Sequence, residues 1–303
     1  MKVLLTGLPY FTRRTARYLA EYRSRSDRFI VVDLTTRGGQ ARFMVEIATA
    51  DAVFCHWGTL VRSRAFEHAF RLRKRVVQYW LGTDVLDASK VVGNGAAHER
   101  YVRDCVHVCE APWTRDELST LGIHAEVLPI APMSSIAPDV TELSEPPEFS
   151  VLGYVGQDRL DFYRLPDFIR LAEDFRDVRF RIAGIDSVPN AVPSNMQLLG
   201  WSDDEFRLYR GCAVYVRIPE HDGYSYSVRE ALTWERHIVA SYPYPHCRHA
   251  PDYASLKAHV HDLKERFESG RLGPNRDGRK FVLREFDDRK VVSDLRRTLV
   301  PTT

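Results

Sequence analysis

The chain has 303 residues, 44% of them hydrophobic and 28% charged, with a formal net charge of +2. That length exceeds one ordinary core and suits two domains of about 150 residues each. The near-neutral balance argues against a chain drawn to nucleic acid by its overall field, and no apolar run approaches the ~18 residues needed to cross a bilayer. Met1–Leu5 reads as a first strand, because its apolar run is too short before Pro9 and Arg13 for a signal peptide. Five cysteines, an odd number without framework spacing, point to a reducing compartment, so the expected location is the cytoplasm.

In chain order, the first half carries short apolar runs: "KVLLT", "RFIVVDL", "AVFCH", "RVVQY", "CVHVC" and "HAEVLPI". Helical stretches separate them, and near-continuous apolar strands alternating with helices imply a parallel sheet covered on both faces. Two of those helices are crowded with positive charge, one by Arg13, Arg14, Arg17, Arg23 and Arg25, the other by Arg62, Arg64, Arg71, Arg73, Lys74 and Arg75. They read either as solvated helix faces or as a surface that meets anionic lipid or an anionic acceptor. The stretch "APMSSIAPDVTELSEPPEFS" then breaks the alternation with prolines and serines and reads as a linker. Alternation resumes with "FSVLGYVG", "VRFRIAG", "NMQLLG", "CAVYVRI" and "HIVASY", with helices over about 163–175 and 225–234. The final "DRKVVSDLRRTLV" has helical spacing.

The expected architecture is α/β, two doubly wound (Rossmann-like) domains facing across a cleft. The boundaries are 1–135 for the first domain, 136–149 for the linker, 150–285 for the second domain and 286–303 for a last helix that crosses the hinge. Ligands in such sheets bind beyond the carboxyl ends of the strands.

The segment "EHDGYSYSVREAL" follows a strand and opens a helix. Gly223 and Ser225 allow close backbone approach, and the helix N-terminus offers unpaired N–H groups, an anion site by construction. Tyr226 and Glu230 are one i,i+4 step apart and share a face. A carboxylate there is placed to accept both hydroxyls of a ribose. A plain surface turn is the alternative.

An acid, seven residues and then Glu-Ala resembles the signature of retaining glycosyltransferases of the GT-B fold, written E-G-F-G-x-x-x-x-E-A. "DGYSYSVREA" matches with Asp222 for the first Glu, Tyr224 for Phe and Ser225 for the second Gly. "YVGQDRLDFYRLPDFIRLA" resembles the family's G-R-L…K-G…A segment: Gly156 is its glycine, Arg164 falls on the lysine that grips the donor diphosphate, and Arg159 is near enough to reach the same phosphate. "MQLLGWSDDEF" resembles the base-binding turn, and "VVQYWLGTDVL" resembles the G-S-D-V segment of the first domain with Asp84 as its aspartate. The resemblance implies Asp222 and Arg164 as catalytic candidates. It implies Gly156, Arg159, Arg164, Gly223, Tyr224, Ser225 and Glu230 as donor-binding. On the acceptor side stand Gly7, His56, Trp57 and Asp84, although Gly7 reads equally as a tight turn and His56 equally as a packed histidine.

The activity implied is retaining transfer of a sugar from a nucleotide diphosphate sugar to an unknown acceptor, a glycan, a lipid-linked glycan or a small molecule. No cofactor and no nucleic acid are expected. No D-x-D occurs, so leaving-group charge is expected to be met by arginine and the helix N-terminus rather than by a metal. "CVHVC", with Cys105, His107 and Cys109, and "PHCRH", with His246, Cys247 and His249, lack a second zinc-like pair; they read as a buried strand and a donor-side loop. Three departures from the family pattern, Asp222 for Glu, Gln157 for Arg and Leu81 for His, motivate an alternative, a nucleotide-sugar-binding module without catalysis. A sugar-nucleotide epimerase of related fold is the third reading.

Overall fold

The computed structural model describes residues 1–22, 25–130, 132–134, 136–202 and 205–300, with the backbone alone for Glu205, Phe206 and Arg207. Arg23 of the first arginine cluster, Ala131 and Ser135 of the linker, and Asp203 and Asp204 of "WSDDEF" lie outside the described residues. The chain divides into two compact units, residues 1–132 with 286–303, and residues 133–285. Among the described residues no helix is long and apolar enough to cross a membrane.

The first unit is built from β1 (Lys2–Gly7), α1 (Pro9–Glu21), β2 (Arg28–Val31), α2 (Arg37–Glu46), β3 (Ala52–His56), α3 (Arg64–Arg71), β4 (Arg75–Trp80), α4 (Thr83–Gly93), α5 (Glu99–Asp104), β5 (Val106–Cys109), α6 (Pro112–Thr120) and β6 (Ala125–Val127). All pairings are parallel, in the order β2-β1-β3-β4-β5-β6. The strands are apolar on both faces because both are covered, and β3 is buried at every position. One face packs Phe43, Phe66, Trp80 and Tyr101; the other packs Val3, Leu5, Phe54, Val77 and Tyr79. The turn from β1 into α1 needs a glycine: Gly7 has φ +104°, and a Cβ there would lie 1.8 Å from the carbonyl oxygen of His56. Pro9 then starts α1 at a position where its missing N–H costs nothing.

The second unit has β7 (Ser150–Tyr154), α7 (Leu165–Asp174), β8 (Arg179–Ala183), β9 (Met196–Gly200), α8 (Glu205–Arg210), β10 (Val214–Arg217), α9 (Tyr226–Thr233), β11 (His237–Ala240), β12 (Arg248–His249), α10 (Tyr253–Glu268) and α11 (Arg276–Glu285). Its sheet is again wholly parallel, in the order β12-β11-β10-β7-β8-β9. The chain runs outward from β7 through β8 to β9, then returns to the other side of β7 at β10. The gap between the carboxyl ends of β7 and β10 is therefore a topological switch point, where open α/β sheets hold ligands. Helix α7 lies very close to β7: a Cβ at Gly153 would meet the Phe168 ring at 2.4 Å. The expected α/β architecture of two Rossmann-like sheets is what the chain adopts. One detail differs from the sequence reading. "PHCRH", read as a loop, contains the short edge strand β12, whose two residues carry no hydrophobic alternation by which to recognise it.

The last helix, α12 (Asp288–Leu299), belongs to the first unit. Val291, Val292, Leu295 and Leu299 pack with Val3, Leu5, Phe54 and Tyr79, and Arg75 Nε donates to the Thr298 carbonyl at 2.8 Å.

Candidate functional site

At the switch point of the second unit the chain brings together two loops that are far apart in sequence. The loop after β7 carries Gly156, Arg159, Tyr163 and Arg164; the loop after β10 carries Asp222, Gly223, Tyr224 and Ser225. They are joined directly, since Glu220 N–H donates to the Phe162 carbonyl at 2.8 Å. Gly156 is tight against Tyr163, whose Cε2 would lie 2.8 Å from an added Cβ. Arg159 is exposed, its guanidinium 3.7 Å from the centre of the Phe162 ring. Arg164 caps α7 in the left-handed conformation (φ 56°, ψ 44°), and its Nε pairs with Asp167 Oδ2 at 2.7 Å. That ion pair is partly exposed, so the guanidinium remains within reach of a ligand.

Asp222 is buried and held by a residue that the sequence reading did not select. Arg217, the last residue of β10, grips it through Nε to Oδ2 at 2.7 Å and Nη2 to Oδ1 at 3.0 Å. The Tyr244 hydroxyl lies 3.0 Å from Asp222 Oδ2 and 2.8 Å from the Gly223 carbonyl. The Arg217 guanidinium also sits 5.7 Å from the Tyr154 ring centre and 5.4 Å from that of Tyr163, so it touches both loops. The available signal was a charged residue closing an otherwise apolar strand, five positions before an acid.

Helix α9 begins behind this pair. Ser225, its N-cap, makes no side-chain cap bond to the helix; its Oγ lies 2.8 Å from Ser227 Oγ, which in turn accepts from Tyr215 at 2.7 Å. Glu230 is 4% exposed and accepts from the Tyr209 hydroxyl at 3.1 Å. Arg229, fully buried one residue earlier, hydrogen-bonds the Tyr224 carbonyl and lies 4.5 Å from the Tyr226 ring centre. Tyr224 stacks edge-on against Tyr244 at 5.2 Å. Of the donor-side residues read from sequence, Gly156, Arg159 and Arg164 lie in the loop after β7 and Gly223, Tyr224 and Ser225 in the loop after β10, while Glu230 is buried within α9 against Tyr209. Trp201, at the end of β9 in the segment read as a base-binding turn, is 70% exposed.

The four acceptor-side residues of the first unit fare differently. His56 ends β3 fully buried, with Nε2 2.8 Å from Thr15 Oγ1 and the rings of Phe54 and Tyr79 at 4.8 and 5.9 Å. Burial pushes its pKa down to about 3, so it is a neutral packed histidine and not an exposed platform. Asp84 is likewise fully buried at the start of α4 and accepts N–H bonds from Gly58 (2.7 Å), Gly82 (2.9 Å) and Leu81 (3.0 Å). Its carboxylate ties the loop after β3 to the loop after β4, a structural duty in place of the acceptor contact read from sequence. Gly7 answers to the tight turn already described. Trp57 is half-buried with φ 101°, its N–H bonded to the Tyr79 carbonyl at 3.1 Å.

The cysteine and histidine clusters are packed as side chains. Trp80 Nε1 donates to His107 Nδ1 at 3.1 Å, which leaves the proton on Nε2, 3.0 Å from the Tyr101 carbonyl. Cys105 precedes β5 and lies 3.3 Å from Gln78 Nε2. His249 Nε2 bonds the Ser241 carbonyl at 3.1 Å, and the His246 ring rests 5.1 Å from that of Phe281. Among the described residues no three His, Cys, Asp or Glu side chains gather as a metal site.

No family model matches the chain, and no curated protein matches it in sequence. Solved structures do match it in fold. Anabaena HepE, solved with UDP and glucose, superposes with a TM-score of 0.73 at 12% identity over 99% of both chains. S. aureus TarM, solved with UDP, fondaparinux and alpha-GlcNAc-glycerol, gives 0.62 at 11% identity over 86% of this chain; the match spans 59% of TarM. A putative UDP-N-acetylglucosamine 2-epimerase from Listeria monocytogenes gives 0.54 at 12% identity over 97% and 94% of the two chains. Two six-stranded parallel sheets of this order are the Rossmann-like pair of the GT-B glycosyltransferases, and that is the fold of this chain.

Proposed function

We propose that the protein is a glycosyltransferase that takes its sugar from a nucleotide diphosphate donor, with UDP the first nucleotide to test. The observation that carries this is the crevice at the β7/β10 switch point, where the loop that bears Arg159 and Arg164 is bonded to the loop that leads into the Gly223–Ser225 turn. Cations and a helix N-terminus suit a diphosphate, and the Glu230 carboxylate, read from the family motif, suits a ribose. HepE, solved with UDP-glucose, has the same fold. In this reading Arg164 exchanges Asp167 for the diphosphate, and Glu230 holds the ribose. Asp222 lies by the transferred sugar as half of an ion pair. Transfer is taken as retaining, on the resemblance to the family motif, and as independent of metal, because the arginines and the α9 N-terminus supply the charge that a leaving diphosphate needs.

The test is a thermal-shift panel of nucleotides and nucleotide sugars, followed by assay of nucleotide release with and without EDTA. A ligand at 100 times its dissociation constant adds ~2.7 kcal/mol of stability. Binding with release that survives EDTA is the expected result. Binding without release supports the inert module instead, and no binding at all defeats the reading. Loss of transfer in EDTA with recovery in manganese removes the metal-independent step. The likeness to the Listeria protein favours one competitor, the epimerase, which would interconvert a free nucleotide sugar with no acceptor present.

A further inference from the structure

We propose that Arg217 is the positioning residue of this crevice, the group that holds the two donor loops in register. The inference rests on the reading that the crevice binds a nucleotide sugar. Its geometry, however, is independent of any ligand.

Arg217 stands at the carboxyl end of the strand that borders the switch point, with a side chain 11% exposed facing a carboxylate equally buried. Both oxygens of Asp222 are engaged by its planar fork, so rotation of the acid is locked about two bonds at once. The faces of Tyr154 and Tyr163 flank the guanidinium from the β7 side. One side chain therefore spans both halves of the crevice. The backbone bond from Glu220 to Phe162 fixes the same two loops a few residues away. Asp222 is followed directly by Gly223, Tyr224 and Ser225, the last of which is the N-cap of α9. Where Asp222 is pinned, the entry into α9 is pinned.

The pair is neutral as a whole. Arg217 therefore adds no net charge toward a leaving diphosphate, a task left to Arg159, Arg164 and the helix terminus. Its contribution is geometric, and a displacement of ~1 Å at such donors costs on the order of 100-fold in rate. Lysine cannot reproduce the effect, because an ammonium is a point charge that neither forks onto a carboxylate nor stacks between two rings.

The experiment compares the wild type with Arg217→Ala and with Arg217→Lys, which keeps the charge should the alanine variant fail to fold. Hydrogen exchange is read first, without ligand. Amides of residues 157–164 and 220–225 should exchange faster in both variants while the amides of β7, β8 and β10 keep their protection. Kinetics on folded protein with the best nucleotide sugar should then show kcat down by about 100-fold, with KM changing far less. Millimolar guanidinium ion should restore part of the activity of Arg217→Ala and none of Arg217→Lys. Unchanged exchange in both loops overturns the proposal whatever the activity, and so does faster exchange with unaltered kcat. A wild type that ignores every nucleotide sugar, combined with loosened loops in the variants, leaves the positioning role standing and defeats the functional reading alone.

Discussion

Individual side chains here divide sharply into those that titrate against the fold and those that are fixed in pairs. Burial pushes the Asp84 carboxyl up to about 6 against the pull of its backbone N–H bonds. An unfolded aspartate titrates near ~3.9, so stability from Asp84 is complete below about pH 4 and is lost, by ~3 kcal/mol, as pH rises to about 6. His56, driven down to about 3 by burial, works the other way. Its contribution is complete above the unfolded value of ~6.5 and falls by ~1.4 kcal/mol per unit as the solution is acidified. Asp84→Asn should therefore steepen the loss of stability on acidification, and His56→Gln should flatten it. Urea midpoints across the acid range check this, and profiles parallel to wild type would refute it. The Arg217–Asp222 pair makes a different prediction. Asp222→Asn leaves a buried guanidinium poorly matched and should cost up to ~3–5 kcal/mol, whereas the double variant Arg217→Met, Asp222→Leu should recover most of that loss. Equal midpoints for the single and double variants would show that the pair is not coupled.

At the level of elements, the start of α7 lets backbone and side chain be separated. Arg164 holds φ 56°, a conformation that costs a non-glycine residue roughly 1–2 kcal/mol. Arg164→Gly should relieve that strain and raise the midpoint, while Arg164→Ala should not. Both should lower kcat by ~100-fold if the guanidinium meets the leaving diphosphate. A glycine variant with full activity would remove Arg164 from the reaction. The same element shows what a sequence discloses. The turn "DGYSYS" and the opening of α9 were legible because glycine and serine are there for backbone reasons, and backbone requirements leave a local trace. Eleven of the strands announced themselves as apolar runs; β12 did not, being a two-residue edge. His56, at the end of β3, took the packed one of its two readings, because periodicity does not tell burial from exposure at a strand's last residue; Asp84, in the first turn of α4, is buried by the loop N–H groups that it collects, which no local pattern announces. Arg217 left only a faint signal, a charge closing an apolar strand. Its partner lies five positions on, across a turn whose path no pattern specifies.

For the whole molecule, the exposed arginines of α1 and α3 bear on where it works. Arg13, Arg17, Arg64 and Arg71 are all exposed, whereas Arg14 is turned onto Tyr10 and Tyr18. Each of the former should add ~1 kcal/mol near an anionic leaflet. Vesicle sedimentation should rise with phosphatidylserine content and fall with salt, and equal partition onto neutral vesicles would return these residues to a solvated face. The position of α12 has a different consequence, one concerned with synthesis. The first unit is interrupted in the chain by all of the second, so its sheet is covered on the Val3–Leu5 side partly by α1 and partly by α12, which is made after the whole second unit. A chain that extends only to residue 285 holds all of the second unit, while the first still lacks the helix that covers part of its apolar face. The second unit is thus free to fold once it has emerged, and the first gains its closing helix only afterwards. Nascent chains cut short after residue 285 and carried clear of the ribosome on an appended linker should resist protease from about 133 to 285 and be cut within 1–132; equal resistance in both parts would mean that α12 is dispensable for the first unit.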